Sequence, residues 1–175
     1  MTNLSAWTAR AAVPPRAARI AVAVLSVLLA LLAGAVLWLG AQTREARARA
    51  DDREAALDAA RAHAAGLVSL HHETVDADVR RILATSTGEA RKEYESGLDR
   101  LRARTVTGKV VRNGVLRAAG LVSLSGGTAK ALVVADVDIR REGSKTPPRD
   151  ELYRWSMELT KVGGTWLVSK AVQVV

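Results

Sequence analysis

The side chains with chemistry to offer in this sequence are few and scattered: three histidines, two tyrosines, four tryptophans and a handful of aspartates. His71 and His72 are adjacent, and His63 lies eight residues before His71. Adjacent side chains on a helix do not face one another, so such a pair does not easily chelate one ion. No His-Glu-x-x-His pattern is present, so no metal site is assigned and the histidines read as solvated or helix-end residues. The absence of cysteine excludes disulfides, thiol catalysis and Cys-ligated metals. Asp136 and Asp138 share a strand face, and Tyr94 and Tyr153 could reach a common pocket. A buried carboxylate beside a tyrosine can polarise a carbonyl or move a proton. The two aspartates alternate with the apolar face of their own strand, however, which points them to water. No catalytic residue is assigned, no cofactor is expected, and the chain reads as non-enzymatic. The one site worth naming is an apolar cavity lined by Tyr94, Tyr153, Trp155, Met157 and Trp166. Its occupant would be an apolar ligand such as a lipid tail; the plainer reading makes those residues core beneath helices.

The elements that must position these residues follow from hydrophobic period. Arg44 to about Leu70 is rich in helix formers, with Leu57, Ala60, Ala64, Leu67 and Val68 at helical spacing. Its first turns read as a solvated stalk and its later turns as packed on the domain. Val75, Val79, Ile82 and Leu83 predict a helix over Val75 to Ala84, capped by Thr74 or Asp76. Ala90, Tyr94, Leu98 and Leu101 predict another from Gly88 to Arg104, opened by a capping box of Ser86 and Glu89. The period then changes to two. Strands are expected at Leu116 to Leu124, Ala129 to Arg141, Leu152 to Val162 and Thr165 to Val174. Ser125-Gly126-Gly127 and Gly163-Gly164 supply the turns. Asn113-Gly114 is either a short turn or a bulge in a first strand that begins near Lys109. Helices followed by strands with short connections indicate an α+β fold, with three helices on one face of a four-stranded curved antiparallel sheet.

Upstream, Ile20 to Thr43 carries no charge. As a helix it spans about 36 Å, enough to cross a hydrocarbon core of about 30 Å. It is longer than the apolar core of a cleaved signal peptide, so it reads as a retained single-pass anchor with Trp38 near its interface. The N-terminal tail carries Arg10, Arg16 and Arg19 and no acid; all 18 acidic residues lie beyond Thr43. The positive-inside rule then places the tail in the cytoplasm and the C-terminal domain outside, at the plasma membrane, with the reverse as the alternative. The expected division is tail 1–19, membrane helix 20–43, stalk and first helix 44–70, and α+β domain 71–175. The net charge of +8 favours anionic surfaces in general. Without a dense basic tract or a recognition motif, nucleic acid is not expected as a partner.

The helix–sheet order with a Gly-Gly-x-Trp hairpin resembles the nuclear transport factor 2-like (cystatin-like) fold. With the anchor, the chain resembles the Mce-associated membrane proteins of actinobacteria. The resemblance rests on Thr74-Val-Asp76-Ala-Asp78-Val-Arg80-Arg-Ile82-Leu, on Thr87-Gly88-Glu89 followed by Tyr94, and on Gly164-Thr-Trp166-Leu-Val168-Ser. It departs at His71-His72, where the family often has Asp or Tyr. The resemblance implies an accessory subunit of a lipid- or sterol-importing Mce complex, with the bilayer and transporter components as partners. A structural bridge subunit of a secretion or conjugation apparatus shares the anchor and the fold class and is the alternative. A cavity-containing lipid carrier or isomerase-like enzyme is the third reading.

Overall fold

The computed structural model describes residues 15–174. Of the expected tail, residues 1–14, with Arg10, lie outside the described residues. The chain divides into two compact units, Met1–Ala48 and Arg49–Val175.

In the first unit the described residues are helical, the opening part of α1 (Pro15–Val68). Pro15 suits a first helical position, where its missing N–H costs nothing. An 18-residue window here has a mean hydropathy of 2.9, with none of it buried. Leu25, Leu31 and Leu37 are each about two-thirds exposed or more. A helix that is apolar all round and unburied has the composition of a membrane span.

The second unit is α+β. After the last turns of α1 come β1 (Leu70–His71), α2 (Val75–Ala84), α3 (Gly88–Thr107), β2 (Val110–Ser125), β3 (Thr128–Arg141), β4 (Arg149–Val162) and β5 (Thr165–Gln173). The strands form one antiparallel sheet in sequence order, β1-β2-β3-β4-β5. The sheet thus has five strands, not four. The extra one pairs Leu70 with Arg112 and His71 with Val111. Two residues are too few to show an alternation, so β1 left no periodic trace in the sequence. The two helices after it lie where the apolar stripes predicted them. α3 runs one turn further than Arg104, and its N-cap is Thr87 rather than the Ser86 of the expected capping box. Ser86 is buried instead and donates to the Ile82 carbonyl.

The inner face of the sheet packs on the helices. Ala131, Val133, Ala135 and Val137 of β3 and Trp155, Met157 and Leu159 of β4 meet Ala56, Ala60, Ala64 and Val68 of α1 in one core. Alternation misplaces two stretches. β2 has register shifts between Leu116 and Ala118 and between Leu121 and Ser123. Each irregularity displaces the pleat, so Ala119, Leu121 and Leu124 turn inward while Ala118, Gly120 and Val122 are exposed. On β5 a shift at Ser169, opposite Glu158/Leu159, puts Ala171 against the core in place of Val172 and Val174.

Gly163 and Gly164 both have positive φ (58° and 86°), as a tight two-residue hairpin between right-twisted strands requires. Asn113-Gly114 is strand, not turn. A Cβ on Gly114 would stand 2.3 Å from the Cβ of Val68, so β2 passes there against the last turn of α1 with no room for a side chain.

Candidate functional site

The strand face that carries Tyr153, Trp155, Met157 and Leu159 is inward, as its alternation predicts. At one end of the core this face is covered completely. At the other, beyond Trp155, the core opens into a cavity of about 250 Å³. Leu67 and Val68 enter from α1, Tyr94 from α3, Arg112 from β2, Val137 from β3, and Tyr153 and Trp155 from β4. Three of the five residues assigned to a cavity from the sequence, Tyr94, Tyr153 and Trp155, meet there. Met157 is fully buried in the closed core. Trp166 is buried at the closed end, beneath Lys161, whose Nζ lies 5.7 Å from its ring.

Tyr153 and Trp155, two apart on the same strand face, stack nearly parallel with centroids 5.2 Å apart. The Tyr153 hydroxyl donates to Glu151, which also pairs with Arg149 at 2.9 Å. Burial, helped by that carboxylate, pushes the Tyr153 phenol up. Across the cavity Tyr94 is tied to His63, a fully buried residue of α1 rather than the solvated or helix-end histidine its sequence context suggests. His63 Nδ1 is 2.8 Å from Thr85 Oγ1, and Nε2 is 3.1 Å from Tyr94 Oη. Because the Thr85 hydroxyl donates to the Ile82 carbonyl at 2.9 Å, a consistent network has Nδ1–H donating to Thr85 and Tyr94 donating to Nε2. That network needs a neutral imidazole. Burial holds His63 down to about 4, and burial first, then Glu93, pushes Tyr94 up to about 12. Both are poor proton shuttles at neutral pH, because each is held in the form its partner requires.

Arg112 was not singled out by the sequence. It lines the cavity and is the charged residue of that lining among the described residues. Its Nε is buried with no hydrogen-bond partner there.

His71 and His72 stack at 4.7 Å, and His72 Nε2 lies 2.5 Å from Glu142 Oε2. That contact, more than the charges of His72 and His71, holds the Glu142 carboxyl down. Ligand atoms of His72, Glu73 and Glu142 fall within 4.8 Å of one another. Spacing could not reveal this cluster, since Glu142 is 70 residues distant and arrives through a loop. Both glutamates are exposed, and His72 and Glu142 already serve as each other's hydrogen-bond partner.

Asp136 and Asp138 point away from the core, and Asp136 pairs with Arg117 at 2.5 Å. The same outer face carries uncovered apolar side chains in two cross-strand rows. One is Val115, Asp136 and Leu152; the other is Leu132, Ser156 and Val172. Val115, Leu132, Leu152 and Val172 are 60%, 47%, 51% and 48% exposed.

With this geometry in view, the chain can be compared with known proteins. The sequence model of the family described as uncharacterized protein Rv1363c/MT1408-like matches residues 14–175. Uncharacterized protein Rv1363c of Mycobacterium tuberculosis (strain ATCC 25618 / H37Rv) is 28% identical over 140 residues, covering 79% of this chain and 52% of that protein. The chain thus spans about half the length of the curated relative it matches. Among solved structures, the periplasmic domain of DotI superposes with a TM-score of 0.57 at 15% identity, covering 67% of this chain and 91% of that one. An IcmL-like type IV secretion system protein from Legionella pneumophila gives 0.55 at 12% identity, covering 73% and 94%. At such identities the likeness is one of fold, and the fold is the nuclear transport factor 2-like arrangement of helices on a curved sheet. The order of helices followed by an antiparallel sheet is as the sequence implied, with five strands in place of four, and by the match over residues 14–175 the chain belongs to the Rv1363c/MT1408-like family.

Proposed function

We propose that this chain is a membrane-anchored, non-enzymatic structural subunit of a cell-envelope complex, with its α+β domain outside the membrane as a docking module. The observation that carries this reading is the outer face of the sheet. Four large aliphatic side chains stay about half exposed there, while most of the inner face lies beneath the helices. An exposed apolar face with interleaved charge is the usual composition of a protein–protein contact. The anchor limits the search for partners to the membrane. The absence of acids from the tail beside Arg10, Arg16 and Arg19 supports a cytoplasmic N-terminus. The likeness to a periplasmic domain and to a type IV secretion system protein supports a bridge role in a secretion-type assembly. The non-enzymatic reading is supported by the way the polar groups are spent: His63 and Tyr94 on each other, Asp136 on Arg117.

A second reading, an accessory subunit of an Mce-type lipid or sterol importer, is supported by the passages at Thr74–Leu83, Thr87–Glu89 and Gly164–Ser169. Purification of the tagged full chain from membranes in mild detergent, followed by identification of co-purifying subunits, separates the two. Secretion-channel or coupling components carry the first, permease and Mce proteins the second, and capture of neither overturns both. Leu132→Glu with Leu152→Glu should abolish capture and leave the fold intact. Protease treatment of spheroplasts tests orientation, since a protected C-terminal domain is incompatible with the N-in arrangement.

A further inference from the structure

Beside the cavity lies a second cleft of about 310 Å³ between α3 and β2, and it is basic. Arg100 and Arg104, one turn apart on α3, and Arg112 on β2 line it above Leu101 and Val110, with no acid among the lining residues. Arg102, two residues from both Arg100 and Arg104, is clamped to Asp76 at 2.5 Å, whereas Arg100, Arg104 and Arg112 make no ion pair among the described residues. Three cations held near one another without counter-charge repel, and a bound anion removes that cost. Arg112 belongs to both linings, so the basic cleft and the aromatic cavity border the same side chain. Its buried Nε–H, without a partner among the described residues, is a donor in search of an acceptor.

We propose that the two spaces form one binding site for an amphiphile with a single anionic head, a carboxylate or a phosphate, on an alkyl chain. The head sits among Arg100, Arg104 and Arg112, where planar guanidinium forks match its oxygens. The chain lies along the stacked Tyr153 and Trp155 toward Leu67 and Val137. The cavity holds on the order of eight water volumes, and with the cleft it falls within the usual range of small-ligand sites, about 300–1,000 Å³. The site is on the inner side of the sheet and does not depend on the docking role of the outer face.

The test uses the full chain in phosphatidylcholine nanodiscs, titrated calorimetrically with octyl phosphate after subtraction of empty discs. Saturable one-site binding is expected, with octanol and inorganic phosphate each weaker by about ten-fold or more, the scale of a lost charge-assisted bond. Arg112→Gln should weaken octyl phosphate by a similar factor. So should Arg100→Gln with Arg104→Gln, both exposed and thus harmless to the core. Trp155→Ala should weaken octyl phosphate and leave inorganic phosphate unchanged. Wild-type affinity in the arginine variants, or octanol binding as tightly as octyl phosphate, overturns the proposal. Discs containing phosphatidylglycerol, in about 0.3 M salt to screen surface repulsion, distinguish the source. Loss of octyl phosphate binding there assigns the site to a membrane lipid, and unchanged binding assigns it to a soluble amphiphile.

Discussion

The two ends of the helix–sheet interface are built from the same elements and come out differently. At one end Ala56 and Ala60 present only methyl groups, and Met157, Leu159 and Trp166 fill the space down to near-zero exposure. Asp52 reaches over that end to Lys161 at 2.5 Å. At the other end α1 brings His63, Leu67 and Val68, and the strands bring Tyr153, Trp155 and Arg112. Larger side chains on both sides leave a gap, because stacked rings and a hydrogen-bonded imidazole cannot slide to fill it. Small helix residues let a sheet close; polar and aromatic ones hold it open.

The difference can be broken most directly at its closed end. Met157→Ala leaves a void among fully packed neighbours and should cost about 2–5 kcal/mol by urea denaturation, whereas Tyr153→Ala, already beside open space, should cost only the ring stack and one hydrogen bond, about 1–2 kcal/mol. Equal costs would erase the distinction. Gly114→Ala places a methyl group inside Val68 and should cost about 1–3 kcal/mol, with Val68→Ala restoring part of the loss in the double variant.

The buried imidazole sharpens the comparison through pH. The fold keeps His63 neutral to about pH 4, while the unfolded chain takes up the proton near 6.5. Stability from this group is therefore complete above pH 6.5 and drains away as pH falls toward 4. The loss should be about 1.2 kcal/mol between pH 7 and 5.5. His63→Gln, which keeps an acceptor for Tyr94, should flatten that segment of the stability–pH curve. The smallest effect belongs to Asp52→Asn. The Lys161 contact holds the Asp52 carboxyl down, yet the pair is solvent-screened. A slight fall in Tm at low salt that vanishes at high salt is expected.

These contrasts also mark how far residue types alone reach. The α2 helix and the turn at Gly163-Gly164 could be read off because four apolar residues at helical spacing, or two glycines between alternating runs, have few other uses. The inward face of β2 beyond Leu116 could not, because a bulge is a property of pairing with β3 and leaves the composition of β2 unchanged. His63 looked like a surface residue because its partners, Thr85 and Tyr94, lie on other elements and nothing in its own helix announces them. Arg112 was hidden for a similar reason. Its role comes from α3 crossing nearby and from the lack of a carboxylate there, and neither fact is local to its own strand. The aromatic half of the cavity was legible because Tyr153 and Trp155 share a strand face.

One contact at the rim of the sheet bears on how copies of the domain can meet. The turn between α2 and α3 lies against β5, where Thr87 N–H donates to Val168 O at 2.8 Å and Val168 N–H donates to Thr85 O at 3.0 Å. The middle of this outer strand already has its partner, so a foreign strand cannot zip along it. At the opposite rim β1 pairs only with Val111 and Arg112 of the sixteen-residue β2. Strand-to-strand polymerisation would need two receptive rims on every copy, and the α2–α3 turn blocks one of them. Growth by strand addition from β2 would therefore stop at a pair.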